Sequence, residues 1–581
     1  MTTNRCVLIG IILLGISCSC SNNHPFYLNL DFEKVDSMTK KAIGWTYFED
    51  DYKVTLDNQE RHSGKYSLKI ESIDGPKAII SALTAGILYD SIHANQKIKL
   101  TGYIKNLNTN SDSLGLYIWC NSIGKTTYPK LLKSENFRGS HNWQEYSIEM
   151  TSSELPEYFL FGVQMFGKGT IWVDDLRLYI NGNQITNFPQ SNNFNANQAE
   201  INWLKTNCIP IKTVKAEQGF KDLEPLKIYL KNARIIALGE NSHGTSEIFE
   251  MKHRFLEFFT SEMGFNILAI ESPMFQTDFI NGYIAKGEGD PKKYLANLTP
   301  ALDTEEFLTM INWMRKINES RKEKLLFTGI DMTEYDVPLK NLTDFARKDQ
   351  QLTQFVDSLQ LVLNNSRFEG QNHLSLAIRK CNQILSNLEA RQDNKLNTLI
   401  QNVRVIKQCF DFYLNGPSSE IRDKYMAENL SWILENNPNS KIVLWAHNGH
   451  ISKQRGGMGN YISNKYSDQY YSIGFLTNKG KYTGGRQNFI STDNTLVESK
   501  PGSFEFNFAK TKIPYFFLDL NPIDHNNPNS QWLNQRLFQR IIGGNANDYQ
   551  FYPCILKENF DGIIFINSTT PSRTFLKTDL N

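Results

Sequence analysis

Three of the ten histidines in the chain stand just beyond short apolar runs, and carboxylates occupy comparable places. Glu240 and His243 follow Ile235–Leu238, and Glu271 follows Ile267–Ile270. Asp331 follows Leu325–Thr328, and His447 and His450 follow Ile442–Trp445. Three carboxylates and three imidazoles allow general acid–base chemistry. A neutral histidine takes a proton from water, a carboxylate fixes its tautomer, and a second histidine donates to a developing oxyanion or leaving group. They also allow metal chemistry, since His447 and His450 at i, i+3 with His243 and a glutamate make a ligand set for Zn²⁺ or Mn²⁺. There is no HExxH to support the metal reading. There is no GxSxG elbow either, so a serine nucleophile is not indicated.

For these groups to meet, the runs that precede them must be parallel strands of one sheet, whose carboxyl ends open on a common crevice. The stretch from Arg234 to Phe258 sets the pattern: a strand, the turn Gly239-Glu240-Asn241-Ser242-His243-Gly244, then helical spacing at Ile248, Phe249, Met251, Phe255 and Leu256. Further strands are expected at Arg234–Leu238, Ile267–Ile270, Leu325–Thr328, Ile442–Trp445, Tyr470–Phe475, Tyr515–Leu518 and Gly562–Ile566. Helical patterns such as Glu305–Ile317 lie between them. Residues 201–581 therefore read as an α/β layered domain. Between about 338 and 436 only amphipathic helical segments occur, and a helical insertion forming a lid or cleft wall is expected there.

Upstream the pattern differs. Residues 25–185 carry short β-branched and aromatic runs separated by turn residues, which predicts a two-sheet β-sandwich of jelly-roll type. Asn29-Leu30-Asp31-Phe32-Glu33, Ser63-Gly64-Lys65-Tyr66-Ser67-Leu68 and Ile171-Trp172-Val173-Asp174-Asp175-Leu176 are its local signatures, and together they resemble modules found beside carbohydrate-active enzymes. Trp45, Tyr47 and Trp143 could stack on a sugar, or they could be sandwich core. The Asn-rich stretch 186–200 reads as the linker.

At 581 residues the chain needs at least two cores, and its net charge of +1 gives no footprint for nucleic acid. Arg5 precedes the apolar run Val7–Ile16, too short to span a bilayer and of the length of a signal-peptide core. Cys18 and Cys20 follow. The pattern resembles a bacterial lipoprotein signal over residues 1–20, with Cys18 favoured over Cys20 for lipidation; an ordinary secretory signal is the alternative. The expectation is an exported protein, held by a lipid anchor at the outer membrane or cell surface of a Gram-negative bacterium. The remaining cysteines, Cys120, Cys208, Cys381, Cys409 and Cys554, are odd in number and scattered, and no disulfide framework is expected.

Five segments carry a resemblance to the erythromycin esterase family: Gly239-Glu240-x-x-His243-Gly244-Thr245, Ala269-Ile270-Glu271, Gly329-Ile330-Asp331-Met332, Arg422-Asp423-x-x-Met426-Ala427-Glu428-Asn429 and Trp445-Ala446-His447-Asn448-Gly449-His450. With Met458-Gly459, Tyr470–Phe475 and Phe560–Ile564 the likeness spans roughly 205–570. It implies hydrolysis of a macrolide lactone or related ester. His243 would be the general base, held by Glu240, and Glu271 would help position water or substrate. His447 and His450 would stabilise the oxyanion and protonate the leaving alkoxide. Lys252, Asp331 and Arg422 would contact substrate, with Lys252 standing where family members commonly carry arginine. No cofactor is implied, and a divalent metal is left open. The alternatives are a metal-dependent hydrolase in the same crevice, and a surface glycan-binding lipoprotein whose α/β half is inactive.

Overall fold

The computed structural model describes residues 29–576 apart from short stretches. Those stretches are 36–39, 43–44, 47–51, 74–80, 86–94, 111–113, 123–129, 132–137, 153–155, 166, 187–193, 365–370, 416–418, 487–488, 524–525 and 545–549. Residues 1–20, expected as a signal, with Cys18 and Cys20, and Tyr47 lie outside the described residues. Among those described, no helix is long and apolar enough to cross a membrane. The chain forms two compact units, with a boundary between Phe194 and Asn195.

The first unit is a sandwich of two antiparallel sheets. One has the order Trp45–Thr46, Ser81–Ala85, Pro156–Met165, Leu114–Ser122, Lys130–Leu131. The other runs Tyr52–Asp57, Ser67–Ser72, Thr170–Ile180, Lys97–Thr109, Gly139–Thr151, with Asn183–Ile185 paired beside Thr170–Ile180. Alternate residues of both sheets, such as Ile98 and Leu100 on one and Phe161 and Val163 on the other, fill a single core. The three sequence signatures knit one corner of it. Glu33 Oε1 accepts the backbone N–H groups of Lys65 and Tyr66 at 2.6 and 3.0 Å, and Asp174 Oδ2 accepts those of His62 and Ser63 at 2.9 and 3.0 Å. Trp45 belongs to the core: it is 1 % exposed and donates from Nε1 to the Asn29 carbonyl at 2.8 Å. Trp143 stays half-buried on the outer face, edge-on to His62.

The linker expectation needs correction at its end. A helix, Gln198–Asn207, starts inside 186–200, where Asn197 caps it and Glu200 reaches back to the Asn197 N–H. Asparagine was read there as linker composition, but it is equally a preferred N-cap, and Glu at the third helical position completes the box.

The second unit is built on a mostly parallel sheet. Its strands are β1 (Ile235–Leu238), β2 (Ile267–Pro273), β3 (Leu326–Asp331), β4 (Ile442–Trp445), β5 (Tyr470–Arg486), β6 (Tyr515–Asp519) and β7 (Gly562–Thr569). Across the sheet the order is β6-β7-β5-β1-β4-β2-β3. Ile209–Pro210 sits outside β6, and Phe489–Leu496 folds back on the end of β5. The pairs joining β7, β5, β1, β4, β2 and β3 are all parallel, while β6 runs antiparallel to β7. Every residue of β1 and β4 is buried, as continuous apolar runs require of strands covered on both faces. Helix α1 (Ser246–Glu262) follows β1 and is buried nearly all round, with Met251, Phe255 and Phe259 in the main core. Among the described residues, five α-helices within 336–436 fill the expected insertion, ending in α2 (Ser419–Asn436), and the four before α2 share a core of their own.

The turn after β1 is fixed by close approach. A Cβ on Gly239 would lie 2.0 Å from Asn448 Oδ1, and one on Gly244 would lie 1.7 Å from the Thr483 carbonyl oxygen. Gly244 also joins the chain on both sides, its carbonyl accepting the N–H groups of Thr483 at 2.8 Å and Ser572 at 2.9 Å. Gly244→Ala must therefore part the turn from β5. It is expected to cost about 2 kcal/mol or more of stability, on the scale of an overpacked core, in a urea titration of the full chain; an unchanged midpoint would contradict this packing.

Candidate active site

Strands β1, β4 and β2 are neighbours, so their carboxyl ends bring Glu240, His243, His447, His450 and Glu271 together. Asp331 arrives as the last residue of β3, and Arg422 from α2. A parallel sheet delivers side chains this way at a point where the connections reverse direction.

At one end of the crevice Glu240 is only 2 % exposed, yet its carboxylate is fully engaged. Oε1 faces Nδ1 of His243 at 2.5 Å, while Oε2 accepts from Lys252 Nζ at 2.8 Å and from the indole N–H of Trp445 at 3.0 Å. Burial pushes this carboxyl up, but Lys252 and His243 outweigh it and hold it below the usual range. With Nδ1 donating to Glu240, neutral His243 keeps its lone pair on Nε2, which no described residue takes. His243 itself is 20 % exposed. Burial works against its charged form, but Glu240 and Glu271 raise its pKa above the ordinary value.

Lys252 does not meet the expectation that it contacts substrate. It has no exposed surface, and its ammonium lies behind Glu240, 4.4 Å from the centre of the Trp445 ring. Burial lowers its pKa to about 8 against the pull of Glu240. The lysine is the counter-charge of the dyad, where an apolar residue would leave a buried carboxylate unmatched. Its neighbours on α1 face elsewhere: Arg254 is held by Asp222, and His253 is buried against Trp313.

The other end of the crevice is an ion network. Arg422 donates from Nε to Asp331 Oδ2 at 3.0 Å, and from Nη2 to the same oxygen at 2.5 Å and to Glu271 Oε1 at 3.0 Å. His450 is clasped between carboxylates, Nδ1 to Asp423 and Nε2 to Glu271 at 3.1 Å. Burial would lower the His450 pKa, but Asp423 and Glu271 raise it to about 10, so it is an imidazolium at neutral pH. Glu271 is held well below the usual range by His450 and Arg422 in spite of its burial. Asp331 is 2 % exposed and engaged by Arg422 and by the backbone N–H groups of Met332 and Thr333, so it too is set behind the site rather than against a substrate.

His447 links the two ends. Its backbone N–H donates to Glu271 Oε2 at 3.0 Å and its ring lies 5.0 Å from that of His243. Nε2 donates to the Ile542 carbonyl at 3.1 Å and Nδ1 accepts from the Gly449 N–H at 3.2 Å, as the cap of the short helix α3 (Asn448–Ile451). Burial and the neighbouring His243 and His450 lower its pKa to about 3, and it stays neutral. Neither His447 nor His450 has a ring nitrogen to spare for a leaving group, against the roles expected of them.

The three imidazoles do not turn lone pairs to one point. Among the described residues no group of His, Cys, Asp and Glu is arranged to hold a metal ion. The donor set present, an imidazolium between carboxylates and a capped neutral histidine, does not fit one.

Sequence reasoning missed three contributors. Asp423 was in a quoted segment, next to Arg422, but without a role. Trp445 reads only as the last residue of its strand, although a residue there, beside the crevice, is placed to reach it. Ile542 acts through its backbone carbonyl, and no side-chain pattern could reveal that.

Two outcomes follow from the buried charges. Lys252→Met strands the Glu240 carboxylate and is expected to cost about 3–5 kcal/mol, the scale for breaking a buried pair, by urea unfolding at pH 7. The stability supplied by His450 is complete below about pH 6.5, its unfolded value, and is lost as pH rises toward about 10. Nitrogen NMR of the ring should show both nitrogens protonated at pH 8, and a midpoint below 7 would contradict the clasp.

With this geometry in place, the comparisons with known proteins are informative. A model of the erythromycin esterase family matches residues 260–569, more than half of the chain, beginning near the end of α1 and so past Glu240, His243 and Lys252. Erythromycin esterase type II of Escherichia coli is 26 % identical over 324 residues, 48 % of this chain and 77 % of that protein. A Bacillus cereus protein of known crystal structure is 25 % identical with a TM-score of 0.60, covering 66 % of this chain and 99 % of its own. The sandwich is similar to a xylan-binding domain of Paenibacillus barcinonensis, at 18 % identity and a TM-score of 0.21, covering 28 % of this chain and 97 % of that one. On the family match over residues 260–569, the chain belongs to the erythromycin esterase family.

Proposed function

We propose that the chain is a hydrolase of carboxylic esters, a macrolide lactone or a related ester being its substrate, and that His243 activates the attacking water. One observation carries the reading: the imidazole of His243 is tied through Nδ1 to a buried carboxylate and keeps Nε2 for the crevice. Water gives a proton to Nε2 as its oxygen bonds to the acyl carbon, and the carbonyl electron pair moves onto the carbonyl oxygen. The C–O bond to the alkoxy group then breaks, and the proton on Nε2 passes to the departing oxygen. Acid and alcohol result, joined in one molecule when the substrate is a lactone.

The imidazolium created on His243 faces Glu240, which Lys252 and Trp445 hold as a carboxylate. The oxyanion falls to Arg422. Its Nε and Nη2 hydrogens are spent on Asp331 and Glu271; its Nη1 has His450 Nε2 as neighbour at 3.2 Å, and that nitrogen is turned to Glu271, which leaves the Nη1 hydrogens for a substrate oxygen. His450 and His447 act through position and field rather than as proton donors.

The proposal extends to an exported protein with a lipid anchor at Cys18 or Cys20, on the strength of Arg5 and the apolar run Val7–Ile16. It also extends to a jelly-roll-type sandwich that holds a glycan.

His243→Ala should abolish ester turnover with the fold intact by circular dichroism, and full activity in that variant would overturn the reading. In the parent protein kcat/KM should rise with pH through a midpoint above 6.5, because only neutral His243 accepts the proton. Glu240→Gln removes the charge that raises this value. Its midpoint should move down and its rate fall by roughly 10²-fold or more.

A further inference from the structure

Residues 540–544, which belong to none of the segments above, line one side of the crevice beside His243. The root of this loop is anchored. Arg540 is fully buried and donates to the carbonyls of Thr477 at 3.1 Å and Asn478 at 2.7 Å. Ile542 is fully buried with Tyr482 and Leu496. The loop is stitched to the catalytic turn, since the Ile542 N–H donates to the Asn241 carbonyl at 2.6 Å and the Ile542 carbonyl accepts from His447. The Gly544 carbonyl accepts the N–H of Gly485, on β5, at 2.8 Å. Between these fixed points stand two consecutive glycines, Gly543 and Gly544.

Nothing in the backbone asks for glycine there. Neither residue is among the glycines with positive φ, so an L side chain meets no conformational strain at either position. Nor does packing ask for it. Among the described residues, a Cβ on Gly543 would have no atom within 4 Å, and one on Gly544 would meet only Cδ2 of His243, at 3.7 Å, an ordinary contact. Gly239 and Gly244, in the turn that carries the same histidine, would each drive a Cβ into a neighbour. Gly544 thus spares space, and the space it spares is that beside the imidazole that carries the free Nε2.

We propose that Gly544, with Gly543 as its bare neighbour in the chain, is a specificity-determining residue. It forms the wall that sets how much bulk at the acyl carbon can approach His243, and it opens the site to branched or ring-embedded esters. This rests on the reading of His243 as general base. Because the loop root is fixed by Arg540 and Ile542, a side chain added at 544 cannot be relieved by moving the wall as a whole. It must narrow the approach to the ring.

The test compares Gly544→Ala and Gly544→Val with the parent full-length protein on p-nitrophenyl acetate and p-nitrophenyl pivalate. The ratio of kcat/KM for pivalate to that for acetate should fall at least tenfold in the valine variant and by less in the alanine variant. An unchanged ratio overturns the proposal. A parallel measurement separates this from the reading beneath it. Diethyl pyrocarbonate labelling of His243, followed by mass spectrometry, should slow several-fold in Gly544→Val, while labelling of His62 in the sandwich proceeds at the parent rate. If the parent hydrolyses neither ester, the ester reading fails and the labelling alone decides on the wall; equal labelling of His243 in parent and variant overturns it.

Discussion

A carboxylate buried to within a few per cent of complete exclusion from water has to be matched by donors. Glu240 is matched from three directions, by an imidazole, an ammonium and an indole. Each donor comes from a different element, His243 from the turn after β1, Lys252 from α1 and Trp445 from the end of β4. Meeting that demand fixes how these elements sit. Strand β4 must neighbour β1 for the indole to reach, and the turn must come close enough to Asn448 that only glycine fits at 239. The orientation of the proton-accepting histidine is therefore a consequence of satisfying one acid.

The same economy of donors explains why the cations divide their work. Arg422 ties the last helix of the insertion to the ends of β2 and β3, through Glu271 and Asp331. His450 spends both ring nitrogens on Asp423 and Glu271. Glu271 in turn receives the His447 backbone, which places the second histidine ring against His243. A planar guanidinium can serve two carboxylates and still present an edge to a ligand, which a lysine at that position could not do.

Much of this was legible in the sequence because it depends on strand ends. Continuous apolar runs mark strands covered on both faces, and polar residues directly after them mark the crevice, so Glu240, His243, Glu271, His447 and His450 could be gathered from spacing alone. The two-sheet sandwich and the strand-free helical insertion were readable for similar reasons. What the spacing could not supply was direction. Lys252 and Asp331 look like ligand-facing charges in a string of letters, and only packing shows that one backs Glu240 and the other anchors Arg422. Tyr515–Asp519 reads like its parallel neighbours although it runs the other way, because apolar content does not encode polarity. The loop at Ile542 lies far along the chain and contributes a carbonyl and an absence of side chains, neither of which leaves a pattern.

The clasped His450 has a consequence for the resting electrostatics. Four carboxyl side chains, Glu240, Glu271, Asp331 and Asp423, stand against three basic ones, Lys252, Arg422 and His450, in two neighbouring groups of ion pairs. With His243 neutral, the acids outnumber the bases by one. The proton that would even the count is the one that His243 would accept from water.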